Sequence, residues 1–110
     1  MTIEIKPFNI KITPALKEYV NKKFFPLGRY LKKFESKGDR PLILEIKRST
    51  FHHRKGDVYE IKSTLRLKSK RSLTATTYGS NVRRALDENK KGLKLSLLEY
   101  KDKLQSRFRV

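Results

Sequence analysis

Two apolar rhythms follow one another along this chain, and their order limits the fold more than any single residue does. Residues 2–6 alternate, with Ile3 and Ile5 on one face, which predicts a short strand. Pro7 to Lys11 read as a connection. Thr13-Pro14 is a helix start, with Thr13 as N-cap and Pro14 at the first helical position. Leu16, Val20, Phe24, Leu27 and Leu31 then fall within about 80° of one another on a helical wheel. Pro26 lies inside that run. It lacks a backbone donor, so the helix should kink or lose its regular part there.

The rhythm then changes to a period of two. Glu35 to Arg40 hold no apolar residue and read as a loop. Pro41 to Ser49 predict a strand with Leu42, Leu44 and Ile46 inward and Ile43 on the opposite face. Arg54-Lys55-Gly56-Asp57 is a turn signal. Val58 to Lys68 alternate, with Tyr59, Ile61, Leu65 and Leu67 on one side, and Ser69-Lys70 predict a tight turn. Ser72 to Tyr78 form a fourth strand led by Leu73 and Ala75. Tyr59 and Tyr78 could stack on bases, but strand aromatics are more often core, so both are expected inside. After Gly79 the helical period returns. Ser80 is the expected N-cap, and Val82, Leu86, Leu93, Leu97, Tyr100 and Leu104 form the stripe of a helix running to about Lys103. Gln105 to Val110 are expected to be a frayed tail.

The predicted order is β-α-β-β-β-α, an α+β fold. The first crossover makes the first two strands parallel and right-handed, and two hairpins add antiparallel neighbours. Each helix has one apolar stripe, so both can pack on one face of a four-stranded mixed sheet. A single domain over residues 1–104 with a tail over 105–110 accounts for the chain, with no repeat or linker.

Charge comes next. The chain has 28 Lys and Arg against 11 Asp and Glu, a net charge of +17. The cations are spread out: nine in residues 1–38, nine in 39–70 and ten in 71–110. A compact domain with this charge repels itself, and a polyanion relieves that cost. Nucleic acid does so with counterion release as well. Disorder is the competing explanation for a chain only 36% hydrophobic. The apolar periodicity argues against it.

Several functions are excluded or left without residues. There is no Cys, so neither disulfides nor thiolate metal sites can form. No apolar run approaches the roughly 20 residues that cross a bilayer, and the N-terminus lacks a signal-peptide apolar core. A cytoplasmic location is expected. His52-His53 cannot share a helical face and have no carboxylate cluster nearby, so no metal site is expected. The glycines are scattered, without a phosphate loop, and no catalytic Ser-His-Asp pattern is visible. No enzyme activity, catalytic residue, cofactor or small-molecule substrate is implied.

The helical cations are aligned. On the second helix Arg83, Lys90, Lys94 and Lys101 lie within about 40° of one another, a row about 27 Å long. Arg84 and Lys91 form a second row beside it. On the first helix Lys22, Arg29 and Lys33 make a similar row, with Lys23 near the apolar edge. Exposed faces of basic proteins are commonly Lys-rich, which accounts for single lysines better than for rows. Asp87 and Glu88 can pair with Lys91 along the helix. Most of the other cations have no acidic neighbour at that spacing. If the outer sides of both helices form one surface, it suits folded RNA, which is read largely through backbone shape.

The segment Gly79-Ser80-Asn81-Val82-Arg83-Arg84-Ala85-Leu86-Asp87 resembles one in the hibernation-promoting factor family, also called ribosome-associated inhibitors. There it has an acidic residue, two variable positions, Ala-Ala, an aliphatic residue and Asp. Tyr100-Lys101-Asp102-Lys103-Leu104 resembles the family's closing Lys-Asp-Lys-Leu. Ile12 to Val20, followed by Lys23 and Leu27, is similar to its opening helix. His53-Arg54-Lys55-Gly56-Asp57 with Tyr59 resembles the loop and third strand of some members. The similarity spans essentially the whole chain and implies the same β-α-β-β-β-α order. It implies binding in the decoding channel of the small ribosomal subunit, where messenger RNA and tRNA sites would be blocked. Lys23 and Lys101 stand where the family usually has a basic residue.

The chain also departs from that pattern. Gly92 stands where the family usually has Lys, and Leu95 where it usually has Arg. Asn81 replaces the acidic residue and Arg84 the first Ala. Neighbouring Arg83, Arg84, Lys90, Lys91 and Lys94 are expected to supply the missing charge. The family's C-terminal dimerisation domain is not expected here, so the chain should act as one module, monomeric away from the ribosome.

The resulting expectation is a non-enzymatic factor whose partners are the small ribosomal subunit and its rRNA, with no membrane partner. Its rRNA-binding residues would be Lys22, Lys23, Arg29, Lys33, Arg83, Arg84, Lys90, Lys91, Lys94 and Lys101. The alternative is a general double-stranded RNA-binding module, whose core order is α-β-β-β-α. The extra first strand does not fit that fold.

Overall fold

A computed structural model describes residues 2–32, 41–50, 57–67 and 71–107. The elements follow in the order β1 (Thr2–Phe8), α1 (Pro14–Phe24), α2 (Leu27–Lys32), β2 (Pro41–Thr50), β3 (Asp57–Arg66), β4 (Ser72–Gly79) and α3 (Val82–Arg107). The expected first helix is present in two pieces. The Phe25 amide still donates to Asn21 O, but Pro26 has no amide to continue the ladder, and the chain restarts as α2. The β-α-β-β-β-α order therefore holds.

The sheet runs β1-β2-β3-β4, with β1 parallel to β2 and the other pairs antiparallel. β1 continues through Pro7 to Phe8, beyond the expected end at Lys6. Pro7 is tolerated because β1 lies at the sheet edge and can leave one side of its backbone unpaired. Asn9 then turns the chain with φ 56° and donates from its carboxamide to Arg48 O at 3.2 Å. Asn tolerates this left-handed conformation better than most residues.

Both apolar stripes face the same side of the sheet. Leu16, Val20, Phe24, Leu27 and Leu31 are buried against Leu42, Leu44, Ile46, Ile61 and Leu65, with Leu86, Leu93, Leu97 and Tyr100 from α3. This is the predicted core. Asn89 was absent from that prediction, yet it is fully buried in it. Its carboxamide donates to Ile61 O and Ala75 O, both at 2.9 Å, which ties α3 to β3 and β4. Burial at the low dielectric of a core makes such bonds strong and costly to lose.

The two helix starts compare differently with expectation. Thr13 caps α1 as expected, its hydroxyl accepting from Leu16 N at 3.1 Å. On α3 the cap is Asn81 and not Ser80. The Asn81 side-chain oxygen accepts from Arg83 N at 3.0 Å and Arg84 N at 3.2 Å, so one side chain satisfies two orphan amides. α3 also runs to Arg107, past the expected end at Lys103 and through the first part of the expected tail.

Tyr59 is half-buried on the helix side, but Tyr78 is not core: it is 62% exposed on the open face. Alternation with Leu73 and Ala75 sends it there. The loop over Glu35–Arg40, the His52-His53 pair, the Arg54–Gly56 turn residues, the Ser69-Lys70 turn, residues 108–110 and the burial of Leu104 lie outside what the structure describes.

Candidate nucleic-acid interface

The helix layer contains a groove between α1 and α3. Tyr19 forms its wall on the α1 side. Its hydroxyl donates to Asp87 Oδ1 at 2.6 Å, and Asp87 also pairs with Lys23 at 3.6 Å. The Arg83 guanidinium stands 4.9 Å from the centre of the Tyr19 ring, and the Lys23 ammonium 5.5 Å from it. A cation over a ring is held by the ring quadrupole at little desolvation cost. The hydrogen bond to Asp87 and, after it, burial push the Tyr19 phenol above its ordinary range. Asp87 thus sits as an internal anion among cations, fixing where they stand.

Further along the groove, Lys23, Asp87, Lys90, Lys91 and Lys94 line an open depression of about 450 Å³. Lys94 is backed by a second aromatic, its ammonium 5.0 Å from the centre of the Tyr30 ring on α2. A second depression of about 280 Å³ lies on the Tyr19 side, lined by Ala15, Glu18, Tyr19, Lys22 and Arg83. The two depressions share the Tyr19, Lys23, Arg83 and Asp87 cluster as their divide.

The expected site residues are therefore not all on one outward surface. Lys22, Lys23, Arg83, Lys90, Lys91 and Lys94 come together along the groove. The row containing Arg83, Lys90 and Lys94 is turned toward α1 and α2 instead of straight outward, and Lys90, Lys94 and Lys101 are half-buried. Arg29 is exposed on α2. Arg84 is exposed and lines a different depression beside Tyr78 and Glu88. Lys33 lies outside the described residues. Sequence reasoning missed Tyr19, Tyr30 and Asp87 as organisers of the cations. The available signal was Tyr19 one turn before Lys23 and Asp87 one turn after Arg83. Asp87, which helical spacing offers to Lys91, bonds across the groove to α1.

The open side of the sheet is charged differently. The register aligns Phe8, Lys47, Glu60 and Tyr78 across all four strands. Lys47 stands 5.2 Å from the Phe8 ring centre and 3.8 Å from Glu60, and the Glu60 hydrogen bond pushes the Tyr78 phenol upward. The next row aligns Lys6, Glu45 and Lys62. Cations here alternate with carboxylates. Among the described residues no group of three or more His, Cys, Asp or Glu could hold a metal ion.

The sequence profile of the family described as "Sigma 54 modulation protein / S30EA ribosomal protein" matches residues 3–105. The chain belongs to this family, that of the hibernation-promoting factors. Two solved structures have a similar fold. A ribosomal subunit interface protein from Coxiella burnetii aligns with TM-score 0.69 at 15% identity, covering 93% of this chain and 99% of that one. The N-terminal domain of Thermus thermophilus Protein Y aligns with TM-score 0.65 at 20% identity, covering 91% and 99%. A comparison with curated protein sequences finds no match. Hibernation-promoting factors associate with ribosomes and regulate translation, and this chain is such a factor. Among the described residues no helix is long and apolar enough to cross a membrane.

Proposed function

We propose that this hibernation-promoting factor occupies the messenger RNA and tRNA path of the small ribosomal subunit, in the cytoplasm, with the α1–α3 groove against rRNA. The observation that carries this reading is the asymmetry of charge. Cations crowd the groove, backed by Tyr19 and Tyr30, with Asp87 among them and Glu18 at one end, while cations on the open sheet face are matched by Glu45 and Glu60. RNA phosphates meeting the groove would displace counterions and gain charge-assisted contacts with ammoniums already held in place. Such contacts position a protein without reading bases, so specificity would come from the shape of the channel. Inhibition would be steric and would need no catalytic group.

Arg83 and Arg84 at the start of α3 also suit a general duplex-RNA module. The two readings separate in one experiment. The protein is sedimented with purified small subunits at two salt concentrations, with the channel empty or filled by messenger and tRNA. Saturable binding near one per subunit, lost when the channel is filled, supports channel occupancy. Binding indifferent to channel filling, or equal on any duplex RNA, overturns it.

A further inference from the structure

The two edges of the sheet are unlike. β1 is guarded by Glu4, Lys6 and Pro7, the side chains that ordinarily prevent one edge strand from pairing with another. β4 carries none of these. It reads Ser72-Leu73-Thr74-Ala75-Thr76-Thr77-Tyr78-Gly79, eight residues with no charge and no proline, in a chain that is 35% charged. Among the described residues no strand lies beyond it in the sheet.

The backbone of β4 presents the free edge in register. Leu67 N donates to Arg71 O at 2.8 Å where the β3–β4 hairpin begins, so the odd-numbered residues of β4 are the ones bonded to β3. By the alternation of an antiparallel ladder, Ser72, Thr74, Thr76 and Tyr78 aim their N–H and C=O groups outward. We propose that this edge is an interface for a second copy of the chain, pairing β4 with β4 antiparallel about a two-fold axis at Ala75 and joining two sheets into one.

The strand is its own complement in that register. Thr74 meets Thr76 and Ser72 meets Tyr78, so every outward-pointing group faces another outward-pointing group. Thr–Thr pairs are favourable across strands, and no like charges oppose one another. Ala75 meets Ala75 on the helix side, where a small residue lets the strands close. Above the edge, α3 is small where it faces Ala75 and charged toward the strand ends, with Arg84 and Glu88 beside Tyr78 and Glu99 and Lys103 beside Ser72. A Cβ built on Gly92 lies 3.7 Å from Ala75 Cβ, and Leu95, on the next turn, is 61% exposed. At these two positions the chain replaces the expected basic residues with a small and an apolar one. Two copies at +17 repel, so the pair forms when salt screens them, and low salt gives the monomer. Salt therefore acts on this contact with the opposite sign to its effect on RNA binding.

Sedimentation velocity tests it at about 0.1 M and about 1 M salt, where the Debye length falls from ~10 Å to ~3 Å. The expected result is a shift from monomer toward dimer as salt rises. Thr76→Pro removes one outward N–H without touching the β3 ladder, and Thr76→Lys adds a charge to the edge while keeping the backbone. Each, checked for native circular dichroism, should abolish the shift. Ala75→Cys, in a chain with no other cysteine, should give a disulfide-linked dimer on oxidation. A wild-type monomer at both salts overturns the proposal, as does a dimer that survives both Thr76 variants. If the chain is monomeric yet captures an extended peptide at β4, the edge serves another occupant and the second-copy reading is wrong.

Discussion

The two faces of this protein carry the same residue types with opposite results. On the open sheet face, Lys6, Lys47 and Lys62 stand in register with Glu45 or Glu60 on neighbouring strands, and Lys47 bonds to Glu60. In the helix groove, Lys23, Lys90, Lys91 and Lys94 gather around the Asp87 carboxylate. Antiparallel pairing fixes which side chains meet, so a strand pattern of alternating sign cancels its own field. Helices meet only along their seams, so cations placed one turn apart accumulate. Net charge alone would not single out the proposed binding surface, because lysines are abundant on both sides.

Neutralising three lysines on each face separates the two surfaces most strongly. Changing Lys90, Lys91 and Lys94 together to Gln should weaken binding to small subunits at least about 100-fold, since each lost charge-assisted contact contributes about 1.5 kcal/mol or more. The slope of log affinity against log salt should fall by about three. Changing Lys6, Lys47 and Lys62 to Gln alters net charge equally and should shift binding far less. Equal losses from the two triple variants would mean that total charge, and not the groove, drives binding.

The next effect concerns the join between the layers. Asn89 is fully buried and donates to carbonyls on two strands. Asn89→Ala leaves a void and removes both bonds, and should cost about 2 kcal/mol of stability. The midpoint of denaturant unfolding reports it. The fraction that remains folded should bind RNA as the wild type does, because Asn89 touches none of the groove cations. A loss of affinity in that fraction would mean that the tilt of α3, set by Asn89, controls the groove.

Asn89 also shows where the sequence was legible and where it was not. Leu86 and Leu93 announce the buried face of α3, and Asn89, three residues after the one and four before the other, falls on that face by spacing, but its polarity keeps it out of an apolar stripe. Only the carbonyls of Ile61 and Ala75, distant in sequence, make a buried amide acceptable there. The roll of α3 on the sheet follows from such contacts, and with it the direction of the Arg83, Lys90 and Lys94 row. The alternating strands, both apolar stripes and the Thr13 cap depend on neighbours in sequence, and they were legible. Tyr78 differs for another reason: the period of two places it outward, against the general preference of strand aromatics for the core. Ser80 and Asn81 are both good caps, and local chemistry could not choose between them.

Gly92 gives a smaller effect of opposite sign. Its added Cβ would make ordinary contact with Ala75 and no clash. Gly92→Ala should therefore stabilise the fold by about 1 kcal/mol, the usual helix penalty of glycine. Gly92→Lys, which restores the cation usual in the family, places it on the β4 side of α3 and away from the groove. It should raise small-subunit affinity much less than neutralising Lys90 lowers it. An equal gain would extend the RNA surface over the β4 edge.

The finest comparison uses two tyrosines, one on each face, each raised by an acidic partner. Tyr19 is raised by its bond to Asp87, then by burial and Asp87's charge, against an opposing pull from Arg83. Tyr78 is raised chiefly by its bond to Glu60. A phenol whose folded value lies above the unfolded one stabilises the fold fully below the unfolded value. That stability is lost as pH climbs through the folded value. Tyr19→Phe should thus lower stability at neutral pH and flatten its alkaline decline above about pH 10, the ordinary tyrosine value. The groove and the open face separate when a polyanion is added. Inorganic polyphosphate seated among Lys23, Lys90 and Lys91 would bring negative charge beside Tyr19 and push its ionisation higher still. Tyr78, on the far side of the sheet, would not move. Ultraviolet titration of tyrosinate, comparing the wild type with Tyr19→Phe and Tyr78→Phe with and without polyphosphate, reads this directly. A shift carried by Tyr78 would put the polyanion on the sheet and reverse the assignment of the two faces.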